Sequence, residues 1–386
     1  MIMTEQHLEL QRTVRNFVEQ ELNPHIDEWE AAGSFPIKAI FSRLGELGLL
    51  GISKPESLGG MGLDFSYEAV FLETLGAARC GGIPLSISVQ TAMATPALAH
   101  FAHEELQQEF LTAAIRGDAI AAIAVSEPGA GSDVSAIATT ATSDGDDYVV
   151  NGSKMWITNA TQADFFCTLV NTGGDKSHSN KSLLIIPAKL PGVRVGNKLQ
   201  KMGMRSSETA PVFFDQVRVP KRYRIGDEGA GFLLQMLQFQ EERLAGAALS
   251  LMGLENCVRS TIDYVQQRQA FGAPILSNQS VHFALAEMQT EVECLRALTY
   301  RAVAAYCRGE DVTTLASMAK LKSGRLSRSI PDQCLQYWGG MGYMEETTIN
   351  RAYRDLRLTA IGGGADEVML GIICKLMGIL PSRKKS

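Results

Sequence analysis

Three successive domains, helical, then β, then helical again, are what this sequence predicts, and three observations carry the expectation. Residues 5–120 place apolar side chains at helical spacing. Residues 120–225 change to alternating and β-branched runs divided by turn residues. A proline-free stretch from about Glu228 to Arg268 then repeats apolar residues at helical spacing over roughly three times the usual helix length. Domain boundaries follow: an N-terminal all-α domain at 1–119, a middle antiparallel β domain at 120–227 and a C-terminal helical domain at 228–386.

Leu8, Val14, Phe17, Val18, Leu22, Ile26 and Trp29 mark the first helix, and Gly33-Ser34-Phe35-Pro36 follows its end. A second, Ile37–Leu50, leads into a turn-rich connection through Gly59-Gly60-Met61-Gly62. Further helices are expected around Ser66–Arg79, Leu85–His103 and Glu104–Arg116. The strands are Ala121–Val125, Ser135–Thr142, Tyr148–Asn151, Phe165–Val170, Ser182–Ile186 and Val212–Val219, with turns at Ser143–Asp146 and Thr172–Asp175. On the long rod, Phe232, Met236, Phe239, Leu244, Ala248, Leu251 and Leu254 recur at helical spacing, and Gln240-Glu241-Glu242-Arg243 embeds charge between apolar turns. Gly272 and Pro274 must stop the helix beyond Arg268. Val281–Arg308, Thr314–Trp338 and Asp366–Met377 complete the set, with a kink or break expected at Pro331.

A net charge of −6 with no long Lys/Arg run argues against nucleic acid as a partner. The Arg383-Lys384-Lys385 run reads as a solvated tail. Seven scattered cysteines without Cys-x-x-Cys imply reduced thiols in a cytoplasmic compartment, and the six histidines form no metal motif. The first residues lack the apolar run of a signal peptide, and no stretch reaches the ~20 apolar residues of a membrane span.

The glycine-rich segment Ala124–Val134 invites a nucleotide reading. It is no P-loop, because no Gly-Lys-Ser/Thr follows, and Gly129-Ala-Gly131 lacks the third glycine of a dinucleotide fingerprint. Alone it reads as a tight turn between strands. Its neighbours point elsewhere. Ser126–Asp133, Gly152-Ser-Lys-Met-Trp-Ile-Thr-Asn159, Arg268-x-x-Phe271-Gly272 and Gln336-Tyr-Trp-Gly-Gly-Met-Gly-Tyr343 occur in one order, and together they resemble the acyl-CoA dehydrogenase family over essentially the whole chain.

The resemblance implies an acyl-CoA dehydrogenase-like fold, with an N-terminal all-α domain, a middle β-barrel and a C-terminal four-helix bundle. It implies FAD as cofactor, a homotetramer, and oxidation of an acyl-CoA thioester to a trans-2-enoyl-CoA with electrons passed to an electron-transfer flavoprotein. Carried over residue by residue, flavin contacts fall on Ile123, Val125, Ser126 and Ser132, and on Trp156, Ile157 and Thr158. Arg268, Phe271, Asn278 and Gln279 would reach the FAD of a neighbouring subunit, where the forked arginine suits a pyrophosphate. Gln336, Gly339 and Gly340 would cradle the cofactor too, as would Ala365 and Glu367. Ser132, Gln240, Arg243, Gly362, Gly363 and Gly364 are the candidate substrate contacts. Without the resemblance, Trp156 reads as a core aromatic and Gly339-Gly340 as a helix cap.

The chemistry needs a base for the proton alpha to the thioester, and donors for the carbonyl oxygen on which charge develops. Most of the family carries that base as a glutamate in a Tyr-Glu-Gly-Thr loop. Here the loop reads Ile361-Gly362-Gly363-Gly364-Ala365, so Gly363 stands where the glutamate would be. The isovaleryl-CoA and long-chain branch places a glutamate before the arginine of the long helix, and this chain has Glu242-Arg243 there. Glu241 points roughly 100° away around the helix. Asp366 reads as a helix N-cap. The vacated loop leaves room beside the Cα–Cβ bond, which fits a 3-methyl-branched medium or long acyl chain such as citronellyl-CoA. A straight long-chain or isovaleryl-type substrate is the alternative. An oxidase, a glutaryl-type decarboxylating enzyme and a flavin-bearing DNA-binding relative are weaker readings, the last opposed by the acidic charge balance. A bacterial, cytoplasmic enzyme is expected.

Overall fold

The computed structural model describes residues 3–173 and 178–381; part of the expected Thr172–Asp175 turn and the Arg383–Lys385 run lie outside them. Its N-terminal helices are α1 (Glu5–Phe17), α2 (Ile26–Ala32), α3 (Ile37–Glu46), α4 (Phe65–Leu75), α5 (Gly82–Ser88), α6 (Pro96–Phe101), α7 (Glu104–Leu106) and α8 (Thr112–Arg116). Local chemistry sets their ends. Thr4 closes a capping box with His7 on α1, and the His7 ring continues to Ser66 Oγ on α4 at 2.9 Å. Asp64 caps α4 through Ser66 N at 2.8 Å, and Gly33 ends α2 at φ 66°.

The strands are β1 (Ala121–Ala124), β2 (Thr140–Asp144), β3 (Asp147–Thr158), β4 (Phe165–Asn171), β5 (Lys181–Pro187), β6 (Val193–Val195), β7 (Thr209–Pro220) and β8 (Arg224–Ile225). They form one sheet in the order β6-β7-β3-β2-β4-β5-β8, with β1 beside β4. Two expectations are corrected here. The sheet is open rather than a closed barrel, because β6 pairs only with β7 and β8 only with β5 among the described residues. It is also mixed: β1 runs parallel to β4, and β2 meets β4 in parallel at Thr140 and Asn171. The expected strand Ser135–Thr142 begins only at Thr140, since Asp133 accepts Ser135 N at 3.1 Å and turns Val134–Ala136 into a helical loop.

The rod is α9 (Gly231–Gln267), 37 residues and roughly 55 Å long at 1.5 Å per residue. It touches every core in turn. Leu234 and Phe239 pack on the core of the β domain. Leu244, Ala245 and Ala248 enter the N-terminal helical core, and Leu251, Leu254, Cys257, Val258 and Val265 enter the C-terminal one. A short hairpin of β9 (Gln269–Ala270) and β10 (Ala273–Pro274) follows, then α10 (Gln279–Cys307), α11 (Thr313–Trp338), α12 (Thr348–Leu356) and α13 (Asp366–Leu376). Helices α9, α10 and α11 pack on one another and α13 closes against α11.

Two further expectations need correction. Of the kink or break expected at Pro331, the break is absent: α11 runs through it with Ile330 and Cys334 both buried. Packing there outweighs the ~3 kcal/mol that proline costs inside a helix. Asp366 is the first helical residue of α13 rather than its cap, and its carboxylate turns instead to Arg328 at 3.7 Å. Helix α12 has no counterpart among the expected elements. Among the described residues, no helix is long and apolar enough to cross a membrane.

Candidate active site

A cavity of about 1640 Å³ opens between the three domains. On the β side, Ile123, Val125, Ser126 and Ser132 line it, facing Met155–Thr158 of β3. The loop after β1 is pinned from beneath. Lys154 Nζ, wholly buried, donates to Glu127 Oε1 at 2.8 Å, Leu169 O at 2.7 Å and Val125 O at 3.1 Å. Glu127 in turn accepts Ala138 N at 2.6 Å and Thr139 N at 3.0 Å. Burial works to raise the Glu127 carboxyl, but Lys154 and these donors hold it below its ordinary value. Burial brings Lys154 down to about 8.

Where β3 slips register against β7, between Lys154 and Ile157, Trp156 adopts φ 60° and leaves its ring 56% exposed. A bulky residue held left-handed is uncommon and costs of order 1 kcal/mol. The result is an indole presented to the cavity beside Ile157 and Thr158, rather than the core aromatic that composition alone suggests.

Helix α9 supplies the opposite wall through Phe232, Met236, Phe239, Glu242, Arg243 and Gly246. The two neighbouring carboxylates part as helix geometry requires. Glu241 turns away, receiving a hydrogen bond from Tyr306 Oη and lying 2.9 Å from His100 Nε2. Burial tends to raise it, but His100, Lys54 and Tyr306 hold it below its ordinary value. Glu242 faces the cavity, and its Oε2 has no hydrogen-bond partner among the described residues. Burial pushes its carboxyl up to about 7, offset only in part by Arg243 and Lys320.

The third wall is the glycine loop. Gly363 stands at φ 62° and Gly364 at φ 97°, conformations that disfavour a side chain. A Cβ on Gly363 would lie 3.4 Å from Glu242 Oε1, so a carboxylate from either position would serve the same space. The nearest atoms that a Cβ on Gly362 would meet are those of Leu358, from 3.6 Å, which is ordinary contact. Ala365 also lines the cavity.

Other candidate residues lie elsewhere. Gln240 is half-buried and Glu367 exposed, both outside the cavity lining. Arg268, Phe271, Asn278, Gln279, Gln336, Gly339 and Gly340 are all exposed and likewise outside the cavity lining. Phe271 tips the β9–β10 hairpin at φ 51°, followed by Gly272 at φ 82°, which is type I′ turn geometry with the ring in solvent. Tyr264 stacks on Trp338 with centroids 4.2 Å apart, and thereby lays the Arg268 turn beside the Gln336–Gly340 turn. A Cβ built on Gly339 or Gly340 meets nothing within 4 Å.

Sequence reasoning missed two site residues. Lys320 of α11 reaches the glycine loop, and the signal was a lysine among Ala316, Ala319 and Ser323 on a buried helix face. Asp355 of α12 accepts Gly81 N at 2.8 Å and Met204 N at 2.5 Å, tying all three domains around the cavity. No local pattern foretells a contact spanning 274 residues.

Residues 4–118, 122–217 and 229–378 match, in that order, the N-terminal, middle and C-terminal domains of acyl-CoA dehydrogenases. The chain belongs to the acyl-CoA dehydrogenase family. Its members are FAD-dependent oxidoreductases acting on the CH–CH group of acyl-CoA. Over 373 residues it is 35% identical to the mitochondrial short-chain specific acyl-CoA dehydrogenase of Mus musculus, covering 96% of this chain and 90% of that protein. The mitochondrial long-chain specific enzyme of Sus scrofa is likewise 35% identical over 376 residues, covering 97% and 87%. The crystal structure of acyl-CoA dehydrogenase from Geobacillus kaustophilus matches with a TM-score of 0.94 at 36% identity, over 97% of this chain and 98% of that one.

The cavity fits FAD by the chemistry of its donors. Ile123, Val125 and Ile157 offer an apolar face. The hydroxyls of Ser126, Ser132 and Thr158 have no partner among the described residues. An apolar wall edged with free donors suits a planar ring with a polar rim.

Proposed function

We propose that Glu242 is the base of an acyl-CoA dehydrogenase whose substrate carries a methyl group on its beta carbon. What supports the base is its partnerless, cavity-facing carboxylate oxygen, on a group whose pKa of about 7 suits a general base at neutral pH. The thioester carbonyl would lie against the loop at Gly363, whose backbone N–H is the candidate donor for the oxygen on which charge develops. Proton loss from the alpha carbon to Glu242 then accompanies departure of hydride from the beta carbon. FAD, when bound, supplies the hydride acceptor. The buried guanidinium of Arg243 holds Glu242 below where burial alone would place it.

Substrate choice rests on the loop. Gly362 and Gly363 carry no side chain where the cavity passes Glu242, and that space suits a 3-methyl branch, as in citronellyl-CoA. Relatives named for short and for long chains are equally identical to this chain, so identity does not decide chain length. An electron-transfer flavoprotein is the proposed acceptor. A homotetramer with Arg268 and Phe271 facing a neighbouring subunit's FAD accounts for an exposed aromatic at a strained turn, and the proposed compartment is the cytoplasm. The test is turnover with an artificial electron acceptor across straight and 3-methyl acyl-CoAs. A preference for citronellyl-CoA over octanoyl-CoA is expected, and a preference for straight chains would remove the branched assignment.

A further inference from the structure

We propose that Lys320 is a positioning residue for the reaction, clamping the glycine loop through two carbonyls while holding a cation beside Glu242 that sets the pH at which Glu242 acts as a base. The inference rests on the reading of Glu242 as that base.

Lys320 is 3% exposed, on α11, and its Nζ donates to Thr359 O at 2.5 Å and Gly364 O at 3.1 Å. Those carbonyls lie on either side of Gly362 and Gly363, so one ammonium ties both ends of the loop. Lys320 and Glu242 converge on it from different helices. A Cβ placed on Gly363 would lie 3.6 Å from Lys320 Cε and 3.4 Å from Glu242 Oε1. Gly246, one turn beyond Glu242, borders the same lysine: a Cβ there would stand in ordinary contact with Lys320 Cε, at 3.4 Å.

The charged groups facing this point are few. Glu242 and Arg243 come from α9, Asp366 from α13 with Arg328 behind it, and Lys320 itself from α11. A neutral donor could hold two carbonyls. A buried cation costs desolvation, and burial already draws Lys320 down to about 8. What the charge adds is an opposite pole to the Glu242 carboxylate, easing its ionisation against burial. Removing the cation leaves burial opposed by Arg243 alone, so the carboxyl must titrate higher.

The test follows substrate-driven anaerobic flavin bleaching against pH in the holoenzyme. Lys320→Gln keeps a donor but no charge; its midpoint is expected to rise by about one pH unit or more, with rates roughly tenfold lower below it. Lys320→Met should show the same shift and a lower plateau, because the loop loses its anchors. Lys320→Arg keeps the charge and should stay near the wild-type midpoint. Independently of turnover, difference infrared titration of the substrate-free protein should show the carboxyl band that Glu242→Gln abolishes moving upward in Lys320→Gln. Wild-type midpoints in both neutral variants overturn the proposal, however slow they are. Failure of both to fold also overturns it, since the lysine is then structural. An unchanged midpoint with an inactive Glu242→Gln sinks this inference alone, whereas wild-type bleaching by Glu242→Gln sinks the base reading beneath it.

Discussion

Replacing Glu242 by glutamine should stabilise the protein at alkaline pH, although it removes the proposed base. Glu242 titrates at about 7 in the fold against an ordinary value of 4.5, because burial disfavours its charge. Between those values the native state binds more protons than the unfolded one, so stability from this group falls as pH rises and is lowest above 7. The gap between the two values corresponds to about 3 kcal/mol once the carboxyl is ionised in both states. Glutamine mimics the neutral acid and escapes that cost, while its own packing penalty is the same at every pH. For 386 residues, about 3 kcal/mol is roughly 4 °C in midpoint. Thermal unfolding of both holoenzymes at pH 5 and pH 8.5 measures it. Part of that cost is already present at pH 5, so the Glu242→Gln midpoint, relative to wild type, should be roughly 3 °C higher at pH 8.5 than at pH 5. A difference independent of pH would show that Glu242 is not a buried, raised carboxyl, and the electrostatic reasoning would fall.

Other perturbations separate the parts of the site. Gly362→Tyr should depress turnover of citronellyl-CoA at least tenfold more than that of octanoyl-CoA, because its Cβ is tolerated beside Leu358 while its ring fills the proposed methyl space; equal losses would indicate general loop damage. Arg268→Ala should lose FAD and assembly together, read by the flavin absorbance and the sedimentation of purified protein; a monomer with full FAD would refute the cross-subunit role. Glu241→Gln should lower stability by about 1–3 kcal/mol through its His100 and Tyr306 contacts while leaving the bleaching rate close to wild type; an inactive, stable variant would exchange the roles of the two glutamates. Adding Gly363→Glu to Glu242→Gln should restore some activity, favouring straight chains, at a backbone cost of about 1 kcal/mol from φ 62°.

The legible parts were those written locally. Helix α9 could be read within three residues at its N-terminus and one at its end, because an uninterrupted 3.6-residue period has no other use over that length. Strands β4 and β5 were equally plain as short, buried, mostly apolar runs. Residues 135–142 misled because Asp133 and Ser135 turn the chain locally before the β pattern starts. The break expected at Pro331 is absent because propensity yields to packing. In the site, Glu242 stood out only beside the glycine loop, and the loop only through the family likeness. Lys320, the Lys154–Glu127 pin and Asp355 rest on contacts between distant segments, which no window of sequence contains.

The central claim is that the proton leaves to a carboxylate on α9. Anaerobic mixing of the Glu242→Gln holoenzyme with a substrate that bleaches the wild type tests it most directly. Intact FAD, intact ligand binding and bleaching slower by about 10³-fold or more are expected, at the upper range for loss of a general base. Bleaching at the wild-type rate would contradict it.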